Sequence, residues 1–174
     1  MLDSKDIAGL QAATQRLASG AGSSQPYAVV YVDDFVGSGN QLLTNRDAAA
    51  QFYAGTFTEF VLSSVICEEA ISALSREGLN HFAGIVHTRS ERPLLPNCDF
   101  LPDQTRARLV EMARAVHSRY PLGFKDMATM VILYSNAPNS TSRLLTGTYS
   151  GDHQVRGLFP RTKDLPPVWT PATA

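Results

Sequence analysis

Fifteen residues, Tyr27 to Gln41, read YAVVYVDDFVGSGNQ and constrain this chain more than any other stretch. Tyr27 to Val32 are β-favouring or small apolar residues, a strand composition. Two adjacent carboxylates follow, Asp33 and Asp34, and then Phe35 and Val36 lead into Gly37-Ser38-Gly39-Asn40-Gln41. The apolar restart at Leu42-Leu43 opens a helix. A buried strand ending in acids, a glycine loop and a helix together make a cradle for a phosphorylated sugar or nucleotide. The loop can wrap an anion with backbone N–H groups, and the helix N-terminus adds the positive end of its dipole.

The remaining sequence sets the bounds. A length of 174 residues accommodates one domain with a proper core, and 44% hydrophobic with 18% charged residues is an ordinary globular balance. A net charge of −1 lends a nucleic-acid partner no support from overall charge. No apolar run approaches membrane-spanning length, and MLDSKDIAGL lacks the basic start and apolar core of a signal peptide. Cys67 and Cys98 show no CxxC spacing, so neither a zinc site nor a disulfide framework is indicated, and a reduced cytoplasmic setting is expected. The four histidines, His81, His87, His117 and His153, have no metal-ligand spacing.

Taken in order, residues 4–18 read as an amphipathic helix with Ile7, Leu10, Ala13 and Leu17 on one side, and residues 20–26 break it before the strand. After the glycine loop, residues 42–53 can be helical, 58–67 return to strand composition, 68–76 suit a short helix, and 81–88 form the next strand. The helix over 68–76 has acids in its first turn and Gly78 past its end. A proline-rich loop precedes a longer helix opened by Pro102 and Asp103, with Leu109, Met112, Ala113, Val116 and Tyr120 on its apolar side and Pro121 ending it. Residues 127–134 read as another strand running into Ser135 to Thr141. Residues 157–161 close the structured part, and 162–174 form a proline-rich tail. Strands alternating with helices imply an α/β fold with a mainly parallel sheet flanked by helices. Ligands bind at the carboxyl ends of such strands, so Asp33/Asp34 and Asn136/Asn139 could share a crevice.

Three phosphate-binding patterns compete for the opening stretch. A Walker A loop needs a lysine after its last glycine, and Gly39 is followed by Asn40-Gln41. The dinucleotide fingerprint needs a third glycine where Leu42 stands, and it places its ribose-binding acid after the glycines rather than before them. The third pattern fits. Acids at a strand end accept hydrogen bonds from vicinal ribose hydroxyls, while the following loop donates to a 5′-phosphate.

On these residues the stretch resembles the phosphoribosyl-pyrophosphate loop of type I phosphoribosyltransferases: apolar strand, Asp-Asp, two apolar residues, then Thr-Thr-Gly-Gly-Thr. Asp33 and Asp34 match its ribose-binding acids, and Gly37, Ser38, Gly39, Asn40 and Gln41 occupy its phosphate-binding segment. Gly39 is identical to that form, Ser38 keeps a hydroxyl, and Asn40 and Gln41 depart from it. The wording DDFVGSGNQ is more similar to a divergent bacterial branch, the phosphoribosyltransferase-like proteins of conflict and anti-phage systems. Residues 121–145 (PLGFKDMATMVILYSNAPNSTSRLL) resemble that branch's glycine-aromatic-acid turn, strand and Asn-x-Pro-Asn loop, and Leu158-Phe159-Pro160-Arg161 its closing motif. Leu144-Leu145 stands where the branch often has a tryptophan. The similarity spans about residues 27–161 of a single domain.

The resemblance implies a phosphoribosyl-pyrophosphate or nucleotide ligand, with Mg²⁺ travelling on it rather than in a dedicated protein cage. It also implies a transferase site completed by an upstream pyrophosphate loop, a mobile loop and a base-selecting hood. The sequence before Tyr27 reads as helix and linker, so a protein partner supplying the pyrophosphate loop is one expectation. A non-catalytic nucleotide sensor or interaction module is the alternative, and a purely structural domain a third. Asn136, Asn139 and Arg161 are candidates for the base side, beside the plain readings of turn residues for the asparagines and an ion-pairing role for Arg161. Asp33-Asp34 could equally be a solvated turn, and the glycines a tight strand-helix connection.

Overall fold

The structure is a computed structural model that describes residues 12, 27–50, 57–96, 98–133, 137–150, 154–156 and 158–159. Of the expected helix over 4–18, residue 12 is described and is helical; the rest of it and the tail at 162–174 lie outside the described residues. The chain divides into two compact units, residues 1–87 and 88–174.

Among the described residues, the first unit holds a three-stranded parallel sheet in the order β1-β2-β3, with β1 at Tyr27–Val36, β2 at Phe57–Cys67 and β3 at Asn80–His87. Helix α1 (Asn40–Ala50) follows β1, and α2 (Glu68–Arg76) joins β2 to β3. The register aligns Val32 with Leu62 and Phe82, and Asp33 with Ser63 and Ala83. Both crossovers step across the sheet in the same direction. A right-handed β-α-β connection therefore sends both helices to the same face. On that face Val36, Leu42, Val61, Ile66, Ala70, Leu74 and Leu79 form the core. On the other, Val30, Val32, Leu62 and Phe82 are exposed, Val32 at 75%. Phe60 and Phe82 stack, with ring centroids 6.2 Å apart.

Local chemistry explains the helix ends. Helix α2 starts directly at the end of β2, with Glu68 and Glu69 at the positive end of its dipole and Arg76 near the negative end. Gly78 adopts φ +68°, and the chain turns back so that the Leu79 N–H donates to the Leu74 carbonyl at 3.0 Å. This is the glycine stop expected from the sequence. Helix α1 begins at Asn40, two residues before the apolar restart. It is tied to the sheet by Arg46, whose Nε and Nη2 donate to both Glu59 carboxylate oxygens at 2.9 and 2.7 Å, while the Tyr31 hydroxyl donates to the same carboxylate at 2.8 Å. This fork lowers the pKa of Glu59 and raises that of Arg46, so both stay charged.

In the second unit, helix α3 (Asp103–Val116) follows Pro102, whose carbonyl accepts the Arg106 N–H at 3.0 Å. Leu94, Leu95 and Ala128 form a small core with Leu109, Val110 and Leu122 packed on it. The expected apolar stripe is only partly used: Ala113 is buried, but Met112 is 56% exposed, and the helix ends before Tyr120. It stops because His117 becomes extended, at φ −154°, and its Nδ1 accepts the Tyr120 N–H at 3.1 Å.

The expected strand over 127–134 is not formed in its described part, 127–133. Thr129 makes one isolated bridge to Thr141 instead. The reason lies at its start, where a 3-10 turn at Phe124–Asp126 leaves Lys125, Asp126 and Ala128 at φ 54°, 51° and 50°. Left-handed residues in such close succession cannot enter a sheet ladder. A short helix α4 (Arg143–Thr146), capped by the Ser142 side chain accepting from the Leu144 N–H, precedes an antiparallel hairpin of β4 (Thr148–Ser150) and β5 (Gln154–Arg156). Among the described residues, no helix is long and apolar enough to cross a membrane.

Candidate functional site

The acid pair lies inside β1, not beyond its end. The strand continues through Asp33 and Asp34 to Val36, because Phe35 and Val36 keep pairing with Val65 and Ile66 of β2. Asp33 is half-buried and Asp34 exposed. The Asp33 carboxyl titrates above the usual range. Burial is the main cause; hydrogen bonding and charge repulsion from Asp34 add to it, and the Phe35 and Asp34 backbone amides partly offset it. One carboxylate thus sits in a partly desolvated position with the other within hydrogen-bond reach. That arrangement gains from a ligand hydroxyl or a cation that relieves the mutual repulsion.

Next to Asp33 in register stands Ser63 of β2. It is 5% exposed, and its Oγ has no hydrogen-bond partner among the described residues. A buried hydroxyl without a partner is costly, on the order of 1–3 kcal/mol, unless something satisfies it. Sequence reasoning passed over Ser63, because a serine within TEFVLSSVIC reads as strand filler. Only the register brings it beside the acid.

Immediately after β1, Gly37, Ser38 and Gly39 form the bend into α1. Gly39 takes φ +77° and is buried, and a Cβ built there would lie 3.4 Å from the Cβ of Ala73 and 3.7 Å from that of Ala70. The loop thus lies over two small residues of α2, with space of about a methyl group between them. The Gly39 carbonyl accepts the Leu43 N–H at 2.9 Å, so Gly39 caps the first turn without any side chain over it. No acid lies in that first turn, and Asn40 and Gln41 are exposed. The positive end of the α1 dipole therefore opens to solvent, beside the acid pair in sequence. Arg46, the cation of this helix, is engaged with Glu59 and so is committed to holding the helix on the sheet.

Of the base-side candidates, Asn139 belongs to the second unit, is exposed, and accepts the Phe124 N–H on its backbone carbonyl at 3.0 Å. Asn136 and Arg161 lie outside the described residues. Cys67 and Cys98 are both buried, and neither is in a disulfide.

The first unit thus combines a parallel sheet, two acids in its first strand and a left-handed glycine at the head of its first helix. The model of the PRTase-CE family, a phosphoribosyltransferase-like family, matches residues 4–161. The chain belongs to the PRTase-CE family. Its parallel sheet with flanking helices is the α/β architecture consistent with that membership. The family match starts at residue 4, so it takes in the N-terminal segment as well as the stretch from Tyr27. No curated protein and no solved structure matches the chain significantly.

Proposed function

We propose that this PRTase-CE domain binds a 5-phosphoribosyl ligand, phosphoribosyl pyrophosphate or a nucleotide, at the end of β1. In this reading Asp33 and Asp34 accept hydrogen bonds from the ribose 2′- and 3′-hydroxyls, and Gly37, Ser38, Gly39, Asn40 and Gln41 surround the 5′-phosphate. The observation that carries it is the opening of α1 at Gly39, with φ +77° and no acid in the first turn, directly behind the acid pair. Acceptors for hydroxyls and donors for a dianion stand side by side, which is the division of labour the ligand requires. Two carboxylates are too few to cage Mg²⁺ by themselves, so the ion would arrive on the diphosphate oxygens of the ligand. If the domain catalyses, its chemistry is displacement at the sugar C1 through an oxocarbenium-like state, driven by positioning and charge stabilisation. A partner contributing the pyrophosphate loop, a role in bacterial anti-phage defence and a cytoplasmic location belong to the same proposal.

The test is calorimetric titration with phosphoribosyl pyrophosphate and with nucleoside monophosphates, in Mg²⁺, on the wild type and on Asp33→Asn/Asp34→Asn. Saturable binding that the double variant loses is the expected result. If neither ligand binds the wild type, the pocket reading fails. Pyrophosphate release in the presence of free bases then separates a transferase from a sensor.

A further inference from the structure

The near-zero net charge of the chain conceals a segregation. Residues 1–87 carry 4 Lys and Arg against 9 Asp and Glu, a net of −5, whereas residues 88–174 carry 11 against 7, a net of +4. The second unit is therefore net basic, and a charge asymmetry of this kind favours a polyanionic partner. Within it, residues 112–125 (MARAVHSRYPLGFK) contain Arg114, Arg119 and Lys125, and the acids nearest to them in the chain are the flanking Glu111 and Asp126. The same stretch exposes two aromatic rings, Tyr120 at 39% and Phe124 at 47%.

The geometry of these rings is specific. The Arg119 guanidinium carbon lies 5.0 Å from the Tyr120 ring centroid, and the Lys125 Nζ lies 5.8 Å from that of Phe124. Each ring is thus paired with its own cation. The Gly123 N–H donates to the Tyr120 carbonyl at 3.1 Å, closing a turn that keeps the two aromatic residues close along the chain. The presentation is also held at a cost. Lys125, Asp126 and Ala128 are left-handed without being glycine, and each such conformation is strained. Buried hydroxyls hold the turn in place: Thr129 Oγ1 donates to Ser140 Oγ at 3.2 Å, and Ser142 Oγ donates to the Pro121 carbonyl at 3.2 Å. The strain does not serve burial of the turn itself, because Phe124, Lys125 and Asp126 all face solvent.

We propose that this turn binds single-stranded nucleic acid, with bases stacking on Tyr120 and Phe124 and phosphates paired to Arg119 and Lys125. Rings offer a face to any base, and neighbouring cations follow the backbone; these are the two components of sequence-tolerant single-strand binding. A duplex hides its base faces and cannot use the rings. Arg114 is exposed on α3 and is not needed for the stacking, so the site is defined by the four residues of the turn.

Fluorescence anisotropy with labelled 20-nucleotide oligo-U and oligo-dT, lengths of about one to a few single-strand site sizes, tests the proposal on the full chain. Expected is saturable binding of both strands at low salt, weakened about tenfold or more by Tyr120→Ala/Phe124→Ala. Arg119→Gln/Lys125→Gln should flatten the dependence of log affinity on log salt by about 1.4, from two lost phosphate contacts at about 0.7 each. All four side chains are on the surface, so circular dichroism should show these variants folded. Asp33→Asn/Asp34→Asn should bind the strands as the wild type does, which keeps this result separate from the ribose site. No binding by the wild type, unchanged affinity in the ring variant, or equal affinity for a duplex of the same length overturns the proposal. So does full competition by polyglutamate, which would mark simple cation exchange with an acidic polypeptide.

Discussion

Asp33 and Ser63 are in-register neighbours on adjacent strands, and they differ in how their polar atoms are satisfied. The Phe35 and Asp34 backbone amides favour the charged Asp33 carboxyl against its burial, while the buried Ser63 hydroxyl has no partner among the described residues. An unsatisfied hydroxyl beside a partly desolvated acid is a local cost that a ligand could remove. Ser63→Ala should therefore raise the stability of the ligand-free protein by about 1 kcal/mol, read by urea denaturation. Under the ribose-site reading it should also weaken binding in the calorimetric titration. A loss of stability in Ser63→Ala would show that the hydroxyl is satisfied in solution.

The elevated pKa of Asp33 has a defined sign. The folded state holds the Asp33 proton more tightly than the unfolded chain does, so Asp33 disfavours folding once pH rises above the ordinary Asp value of about 4. Asp33→Asn should accordingly raise the urea midpoint at pH 7, and that gain should vanish below about pH 4, where the carboxyl is protonated in both states. Midpoints measured between about pH 3 and pH 8 on both proteins check this. A gain that persists unchanged at the acid end would contradict it.

Glu59 behaves in the opposite way. Its pKa is lowered, first by the hydrogen bonds from Arg46 and then by that from Tyr31, against the opposing effect of burial. Its contribution is present above the unfolded value of about 4.3 and is lost as pH falls through the lower folded value. Glu59→Gln should cost about 1 kcal/mol at pH 7, since the pair is only partly shielded from water, and almost nothing once the pH is below both values. Tyr31→Phe should show a smaller loss with the same pH profile.

Gly123 permits no side chain. It lies at φ +83°, and a Cβ there would fall inside van der Waals contact with the Ser140 carbonyl oxygen. That oxygen accepts the Thr129 N–H, so any displacement breaks the bridge between the turn and residues 138–142. Gly123→Ala should destabilise by about 2–4 kcal/mol, seen as a fall in thermal midpoint. Gly78→Ala, also left-handed but with open space around its Cβ, should cost only about 1 kcal/mol.

Where periodicity and punctuation agreed, the sequence was readable. Residues 57–87 resolve into β2, α2 and β3 nearly to the residue, because each element had both an apolar pattern and a stop. The acids misled the boundary of β1: aspartate disfavours strands, yet pairing of Phe35 and Val36 with Val65 and Ile66 carries the strand past them. Residues 127–133 misled in the other direction. Their composition is that of a strand, but left-handed residues at and just before their start deny the segment a ladder. Met112 fits the helical spacing of α3 and is nonetheless exposed, because spacing marks one side of a helix but not how wide the covered stripe will be. Ser63 was illegible, since its interest depends on a strand neighbour far away in the chain.

The methyl-sized space between Gly39 and Ala70 and Ala73 has a consequence for how such a loop can change. The small size of the two alanines keeps that space open. A larger residue at position 73 would fill it without altering a single loop residue. The aperture at the head of α1 is thus a property of a different helix, and it can be tuned from there while the acids and glycines stay as they are.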